Sequence, residues 1–147
     1  MLIRAARSGE LATVLSMYDW LFAPPGTRPR TWAGANASAR LRRLSTDARG
    51  IVLVAEIEGA LVGFATVVLD IESVRFGQRA WMEDLAVDPS HRSEGIGRQL
   101  LAAAKAWARA QGASHLELDS ADAREDAHRF YERERPSWRS ICFGWEL

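Results

Sequence analysis

The chain has 147 residues, of which 48% are hydrophobic and 26% charged, as expected for a globular protein with a buried core. Its 19 basic and 19 acidic residues cancel, so the net charge gives no sign of nucleic-acid or anionic-membrane binding. The lone Cys142 excludes an intrachain disulfide, and the first ten residues lack the apolar run of a signal peptide or membrane span. We therefore expect one domain over residues 1–147 in a reducing, cytoplasmic setting.

The first part of the chain is predicted to form one strand and two helices. A short apolar strand at 2–6 precedes Ser8, a typical N-cap, and a helix over 9–22. Three prolines and a glycine in residues 23–30 (APPGTRPR) end this helix and predict a loop, which we expect to form a mobile wall. A weaker helical pattern covers 32–47.

Three strands are predicted next. Two runs rich in β-branched residues, 51–59 and 60–71, meet at Glu58 and Gly59, which is typical of a hairpin with a tight turn. A third strand at 79–87 completes the meander.

The rest of the chain alternates helices and strands. A helical pattern begins at Ile96, and Gly112 is a plausible stop for it. A strand at 114–119, a helix at 124–134 and a last strand or bent pair of strands at 138–147 follow. This order predicts an α+β or mixed α/β fold built around one sheet.

The connection between the third strand and the next helix has the features of an anion site. A helix N-terminus presents unpaired N–H groups and a partial positive charge, and glycines allow an anion to approach the backbone. Gly95 and Gly97 are placed for this, and Arg92 and Arg98 flank the turn. The alternative is that the glycines only shape a tight connection. The turn is neither a P-loop nor a dinucleotide fingerprint, because the Lys-Ser/Thr pair and the third glycine are missing.

The strand before this turn contains a break in its alternation. Met82, Leu85 and Val87 are its apolar positions, as though one residue were inserted at Glu83-Asp84. This pattern predicts a β-bulge, which splays a strand from its neighbour and opens a slot. An extended ligand in the slot could bond to the free backbone groups of Leu85 and Val87.

The stretch LAVDPSHRSEGIGRQLL resembles the acetyl-coenzyme A binding motif of the GNAT N-acetyltransferases, in which Arg or Gln, Gly, and Gly or Ala recur at fixed spacing. Arg92, Gly95 and Gly97 fit that motif. IRAA near the start resembles the family's first strand, and DAHRFYERE resembles the helix with its Phe-Tyr pair. The resemblance implies one GNAT-like domain with a central mixed, splayed sheet flanked by helices, and acetyl-coenzyme A as co-substrate. The implied cofactor-binding residues are Leu85, Ala86, Val87, Arg92, Ser93, Glu94, Gly95, Ile96, Gly97 and Arg98.

Acetyl transfer to an amine by direct attack requires the acceptor ammonium, with a pKa of about 10, to lose a proton. By resemblance to polyamine and diamine acetyltransferases, Glu83 is the first candidate for the base, and Asp84 for holding a substrate ammonium. Either acid can instead face solvent, and Asp119 or a water relay could supply the base. Tyr131 matches the family tyrosine that stabilises the coenzyme thiolate. Its alternative role is packing beside Phe130.

A small cationic amine, such as a polyamine or an aminoglycoside, is the favoured acceptor, because the acid pair offers it a partner. A protein N-terminal or lysine amine is the alternative within the class. A non-catalytic coenzyme A sensor or assembly module is the alternative outside it, and it needs neither Glu83 nor Tyr131. We expect no metal site, because His91, His115 and His128 are scattered. The resemblance also implies a homodimer.

One departure from the family affects the last strand. Members usually follow Phe-Tyr with Gly-Phe a few residues later, where this chain has Arg135 and Pro136. The family glycine permits a left-handed turn, so we expect a different turn here and a late or displaced last strand.

Among the remaining residues, Trp81 and Trp107 fit core positions, and Cys142 sits in an apolar strand pattern typical of the core. Trp20 and Trp32 flank the proline-rich loop. They either pack in the core or line the acceptor pocket.

Overall fold

A computed structural model describes all 147 residues. The chain folds into five strands and four α-helices, with short 3-10 turns at Ser8–Glu10 and Pro89–His91. In chain order these elements are β1 (Leu2–Ala5), α1 (Leu11–Phe22), α2 (Gly34–Thr46), β2 (Gly50–Ile57), β3 (Ala60–Ser73), β4 (Gly77–Val87), α3 (Ile96–Ala110), β5 (His115–Glu117) and α4 (Glu125–Arg133).

The five strands form one mixed sheet in the order β1-β2-β3-β4-β5. The first four are antiparallel neighbours, and β5 runs parallel to β4. Helices cover both faces, which confirms the predicted fold class. None of the helices combines the length and apolar composition needed to cross a bilayer.

Side chains alternate along the strands, so they contribute to a hydrophobic core on each face of the sheet. On one face, Val67 and Met82 pack in a cluster with Leu100 of α3. On the other, Phe64 packs in a cluster with Val14 of α1. The sheet is therefore the middle layer, and α1 and α2 lie on the face opposite α3.

Ser8 does not cap α1, contrary to the sequence prediction. It lies within the first 3-10 turn, and the helix begins after Glu10. Arg4 donates to both Glu10 and Glu56, at 2.6 and 2.5 Å, and the Arg7 backbone N–H donates to Glu10 at 2.7 Å. These bonds, led by that from Arg4, lower the pKa of Glu10 to about 2. The Glu10 carboxylate thus closes this turn by bonding back to the residue that precedes it.

The predicted hairpin and helix stop are confirmed. Glu58 and Gly59 both have positive φ, +50° and +84°, as a tight hairpin between β2 and β3 requires. Gly112 has φ +81° just beyond α3, in the left-handed conformation that commonly ends a helix.

The predicted last strand over 138–147 is wrong. Residues 136–147 lie in no helix or strand and form no backbone–backbone hydrogen bonds within the chain. A period-two pattern makes a strand only when another strand pairs with it, and none in this chain does. Cys142 is accordingly exposed and not in the core. Arg135 nevertheless adopts φ +53°, so the expectation that this turn avoids the left-handed conformation is also wrong.

Candidate active site

The register between β3 and β4 contains the predicted bulge. Val67 pairs with Met82 and Thr66 with Asp84, so Glu83 has no residue opposite it. Met82 faces the α3 core, whereas Asp84 contacts α1 on the other side of the sheet. The extra residue therefore turns the end of β4 over and brings Asp84 to the face of α1.

The predicted slot is present on the opposite edge of β4. Strands β4 and β5 pair from Arg79–His115 to Trp81–Glu117, and the pairing stops there. From Met82 to Val87 no strand pairs with this edge of β4, so the edge that includes Leu85 and Val87 is unpaired. Ala86 is 7% exposed and packs toward α1, and its carbonyl oxygen faces β3, so the backbone groups on this edge are those of Leu85 and Val87.

Side chains brace the turn that follows β4. Oδ1 of Asp88 accepts hydrogen bonds from the backbone N–H of Ser90 at 2.8 Å and from its hydroxyl at 2.6 Å. These bonds lower the pKa of Asp88. Nδ1 of His91 lies 3.1 Å from Oε2 of Glu94. His91 thus shapes the turn, and Glu94, predicted to bind the cofactor, has its carboxylate engaged beside it.

The N-terminus of α3 is open. Ser93 and Gly95 both have positive φ, +65° and +81°, and no side chain caps the helix. Gly95 faces free space, whereas a Cβ on Gly97 would lie 3.5 Å from the Phe130 ring. Gly95 therefore gives access to the helix N-terminus, whereas at Gly97 a Cβ would make only an ordinary contact with α4. Ile96 is 1% exposed, so only its N–H can reach a ligand.

The two predicted arginines border this open N-terminus. Arg92 is exposed and makes no ion pair within the chain. Arg98 is also exposed, and its Nε lies 3.8 Å from the Glu134 carboxylate. Unpaired N–H groups with guanidinium groups beside them make a site suited to a phosphate.

Asp84 is held by two hydroxyl groups. Tyr18 of α1 donates to its Oδ2 at 2.7 Å, and Thr66 of β3 donates to the same atom at 2.6 Å. Burial, followed by the charge of Asp84, raises the pKa of Tyr18. Oδ1 of Asp84 has no hydrogen-bond partner in the chain, so it is free to bind a ligand.

Glu83 is exposed and accepts a hydrogen bond of 2.6 Å from the indole N–H of Trp81. The predicted core position of Trp81 is therefore wrong: it is only partly buried, and the Arg79 guanidinium stacks 4.8 Å from its ring. The charge of Glu83 also raises the pKa of Tyr18, so both carboxylates lie near that hydroxyl. Neither acid pairs with a protein cation.

An aromatic cluster adjoins the acid pair. Trp32 packs on Tyr18 and Phe22, with ring centroids 5.4 and 4.7 Å apart. Tyr18 and Trp32 also line a cavity of about 160 Å³ between α1 and α2. Trp32 thus lies beside the acids. Trp20 packs against the hydrophobic cluster between α1 and the sheet.

Tyr131 lies on α4. It is partly buried without a hydrogen bond, and burial raises its pKa to about 12. Asp119 is close enough to contribute to that shift. Arg124 donates to the Leu21 carbonyl oxygen at 2.8 Å, which ties α4 to the end of α1. The sequence reasoning missed Arg124, Tyr18 and the role of Trp81.

The model of the acetyltransferase (GNAT) family matches residues 14–135. This chain belongs to the GNAT family. The family's co-substrate is acetyl-coenzyme A. The open N-terminus of α3 fits its pyrophosphate, and the unpaired edge of β4 fits its extended arm.

This GNAT protein matches two curated relatives over different fractions of their lengths. It is 28% identical over 133 residues to the uncharacterized N-acetyltransferase YhfO of Bacillus subtilis, covering 90% of this chain and 87% of that protein. It is 39% identical over 87 residues to streptothricin acetyltransferase of Streptomyces lavendulae. That second match covers 59% of this chain and 43% of the relative, so the chain spans less than half of that relative's length.

Solved structures share the fold of this GNAT protein. The aminoglycoside N-acetyltransferase AAC(6')-Iy in complex with CoA superposes with a TM-score of 0.84 at 17% identity, covering 99% of this chain and 93% of the other. At that identity the likeness establishes the fold alone.

Proposed function

We propose that residues 1–147 form one N-acetyltransferase domain that transfers an acetyl group from acetyl-coenzyme A to a primary amine of a small cationic molecule. The observation that carries this proposal is the pair Glu83 and Asp84, which lies beside an open slot with no protein cation to neutralise it. A partly buried carboxylate beside an exposed one, with no cation to neutralise either, favours a ligand with positive charge.

In this proposal the turn after β4 and the open edge of β4 hold the co-substrate. The N–H groups from Gly95 to Arg98, with the Arg92 and Arg98 side chains, bind the pyrophosphate. The backbone of Leu85 to Val87 binds the pantetheine arm as another strand would. The bound co-substrate supplies a thioester carbon, which the acceptor amine attacks directly in a ternary complex.

Glu83 and Asp84 have different roles in this proposal, and the roles follow from the contacts of each carboxylate. Glu83 is exposed at the bulge, with one oxygen fixed by Trp81, so it is placed to take the ammonium proton. Asp84 has Oδ2 engaged by Tyr18 and Thr66, and its free Oδ1 holds the acceptor ammonium. Trp81 and Tyr18 are positioning residues in this scheme, because they act through the carboxylates.

Tyr131 stabilises the departing thiolate. Because burial raises its pKa to about 12, the phenol keeps its proton at neutral pH. A thiol has a pKa of about 8.5, well below that of the phenol, so complete proton transfer to sulfur is unfavourable. Tyr131 therefore acts as a hydrogen-bond donor to sulfur, and solvent supplies the proton later.

The aromatic rings beside the acids support a small cationic acceptor. Trp32 packs on Tyr18, whose hydroxyl bonds to Asp84, so aromatic side chains adjoin this carboxylate, and aromatic rings beside a carboxylate attract alkylammonium groups. Relatives named as streptothricin and aminoglycoside acetyltransferases agree with an acceptor such as an aminoglycoside or a polyamine. We also propose that the protein acts as a homodimer and, given its single unpaired cysteine, in the reducing cytoplasm.

Thiol release from acetyl-coenzyme A with a panel of amines tests the function. The panel holds a diamine, a polyamine, an aminoglycoside and a peptide with a free N-terminus. We expect turnover with at least one small cation and little with the peptide. Turnover with the peptide alone would favour the protein acetyltransferase alternative. Cofactor binding without turnover on any amine would favour the non-catalytic module.

A further inference from the structure

The cavity of about 160 Å³ between α1 and α2 has no part in the proposed chemical steps. Six of its seven lining residues are hydrophobic, so it offers little to a polar group. An apolar cavity of about 150 Å³ binds a molecule of the size of benzene. This cavity is therefore large enough for one ring or a short alkyl chain. Its lining residues are Leu15, Tyr18, Trp32, Ala37, Arg40, Leu41 and Leu44.

The sequence of α2 leaves this space open. Ala37, Leu41 and Leu44 recur at the spacing of one helical face, and this face borders the cavity. Ala37 is only 9% exposed, but its side chain is a single methyl group. A longer side chain at position 37 would occupy part of the cavity.

Tyr18 joins the cavity to the acceptor site. Its ring lines the cavity, and its hydroxyl donates to Oδ2 of Asp84 at 2.7 Å. Oδ1 of the same carboxylate is the proposed anchor of the acceptor ammonium, so one phenol side chain separates that anchor from the cavity. The Trp32 ring, 5.4 Å from that of Tyr18, extends the apolar surface.

We propose that the acceptor is a primary amine joined by a short linker to a compact apolar group, and that this group occupies the cavity while the ammonium binds Asp84. The apolar group is an aryl ring or a short alkyl chain. This inference rests on the proposed function, since it takes Asp84 as the ammonium anchor. Burial of the apolar group supplies affinity that one ion pair at a hydrated site lacks.

Arg40 makes the cavity selective among small cations. It lines the cavity and is nevertheless exposed, so its guanidinium reaches the rim. No carboxylate of the chain pairs with it. Its charge opposes a second ammonium in the cavity, where the apolar lining gives that ammonium no partner. Among small cations, the site therefore favours a monoamine over a diamine of the same length.

Equilibrium binding tests the occupant of the cavity without relying on turnover. NMR titration at pH 7, with coenzyme A present, compares ethylamine with phenethylamine, which differ only by the ring. We expect phenethylamine to bind at least about ten-fold more tightly, as burial of one ring predicts. Ala37→Leu, with an unchanged circular dichroism spectrum, should remove that difference. Ala39→Leu, the same change at an exposed position of α2, is the matched control and should retain it.

Arg40→Gln supplies a second test that does not fill the cavity. Pentylamine and cadaverine have the same chain length and differ by the second ammonium. The wild-type protein should bind pentylamine more tightly, and Arg40→Gln should narrow that preference several-fold. Arg42→Gln, at an exposed arginine outside the cavity, should leave the preference unchanged.

The outcomes separate this inference from the proposed function. Equal affinity for ethylamine and phenethylamine would overturn the inference, even if some amine is acetylated. A preference for phenethylamine that survives in Ala37→Leu, or a preference for pentylamine that survives in Arg40→Gln, would place the ligand elsewhere and count against it equally. Ring-dependent binding that Ala37→Leu removes, without acetylation of any amine, would instead refute acetyl transfer and support the cavity as an amine-binding site.

Discussion

The Tyr18 hydroxyl donates a hydrogen bond of 2.7 Å to Oδ2 of Asp84, which lies 66 positions later in the chain. Thr66 donates to the same oxygen. These bonds join α1 to β4 at the bulge, where the side chains that face α1 change from odd-numbered to even-numbered positions. The orientation of Asp84 therefore depends on how α1 packs on the sheet, and changes in that packing reach the acceptor site.

Tyr18→Phe tests whether Asp84 holds the acceptor ammonium. The ring stays in the aromatic cluster, but Asp84 loses a hydrogen bond to a charged group, which contributes about 1.5–3 kcal/mol. We expect KM for the amine to rise about ten-fold or more, with a smaller change in kcat and unchanged affinity for acetyl-coenzyme A. Thr66→Val should act in the same direction. If Tyr18→Phe lowers kcat with KM unchanged, Asp84 is not the ammonium anchor.

Trp81→Phe tests whether the indole positions Glu83. The substitution keeps an aromatic ring under Arg79 and removes the N–H that bonds to Glu83. We expect kcat to fall about ten-fold with little change in KM for the amine. Trp107→Phe, on α3, is the matched control and should leave both constants unchanged. Equal effects of the two substitutions would mean that Trp81 is only a packing residue.

The bulge and slot could be predicted because they depend on local pattern. The alternation of apolar residues breaks between Met82 and Leu85, and one extra residue in an antiparallel strand is accommodated as a β-bulge. The orientation of Trp81 could not be read in this way. Met82 faces α3, so Trp81 faces the other side, and the extent to which α1 covers that side is set by tertiary packing.

Contacts between residues distant in sequence could not be predicted either. Tyr18 fits the apolar pattern of α1, and nothing near it indicates that its hydroxyl meets Asp84. Segment 138–147 has the alternation of a strand, but alternation does not specify what pairs with it. The family resemblance indicated that Arg135 and Pro136 stand where members have Gly-Phe. It did not indicate that Arg135 itself adopts the left-handed conformation.

Arg135→Gly tests the left-handed turn after α4. A non-glycine residue at φ +53° is strained by about 1–2 kcal/mol, which glycine avoids. We expect the free energy of unfolding to rise by about 1 kcal/mol in chemical denaturation. Ser137→Gly, two residues on and without positive φ, is the control and should give no gain. A loss of stability in Arg135→Gly would show that the side chain makes a contribution larger than the strain.

The most direct test of acetyl transfer at the bulge is kcat of Glu83→Gln at pH 7, measured by thiol release with the best amine at saturation. Removing the base should lower kcat by about 100-fold or more, because general-base catalysis contributes about 10²–10⁴. Activity should recover as pH rises toward the amine pKa of about 10, where the acceptor is already deprotonated.

Two controls accompany that measurement. Affinity for acetyl-coenzyme A should be unchanged in Glu83→Gln, and Glu72→Gln, at an exposed acid of β3, should retain full activity. The predicted result is a low kcat at pH 7 that rises with pH in Glu83→Gln alone. A Glu83→Gln enzyme with wild-type kcat at pH 7, under conditions where chemistry limits the rate, would contradict the assignment of Glu83 as the base.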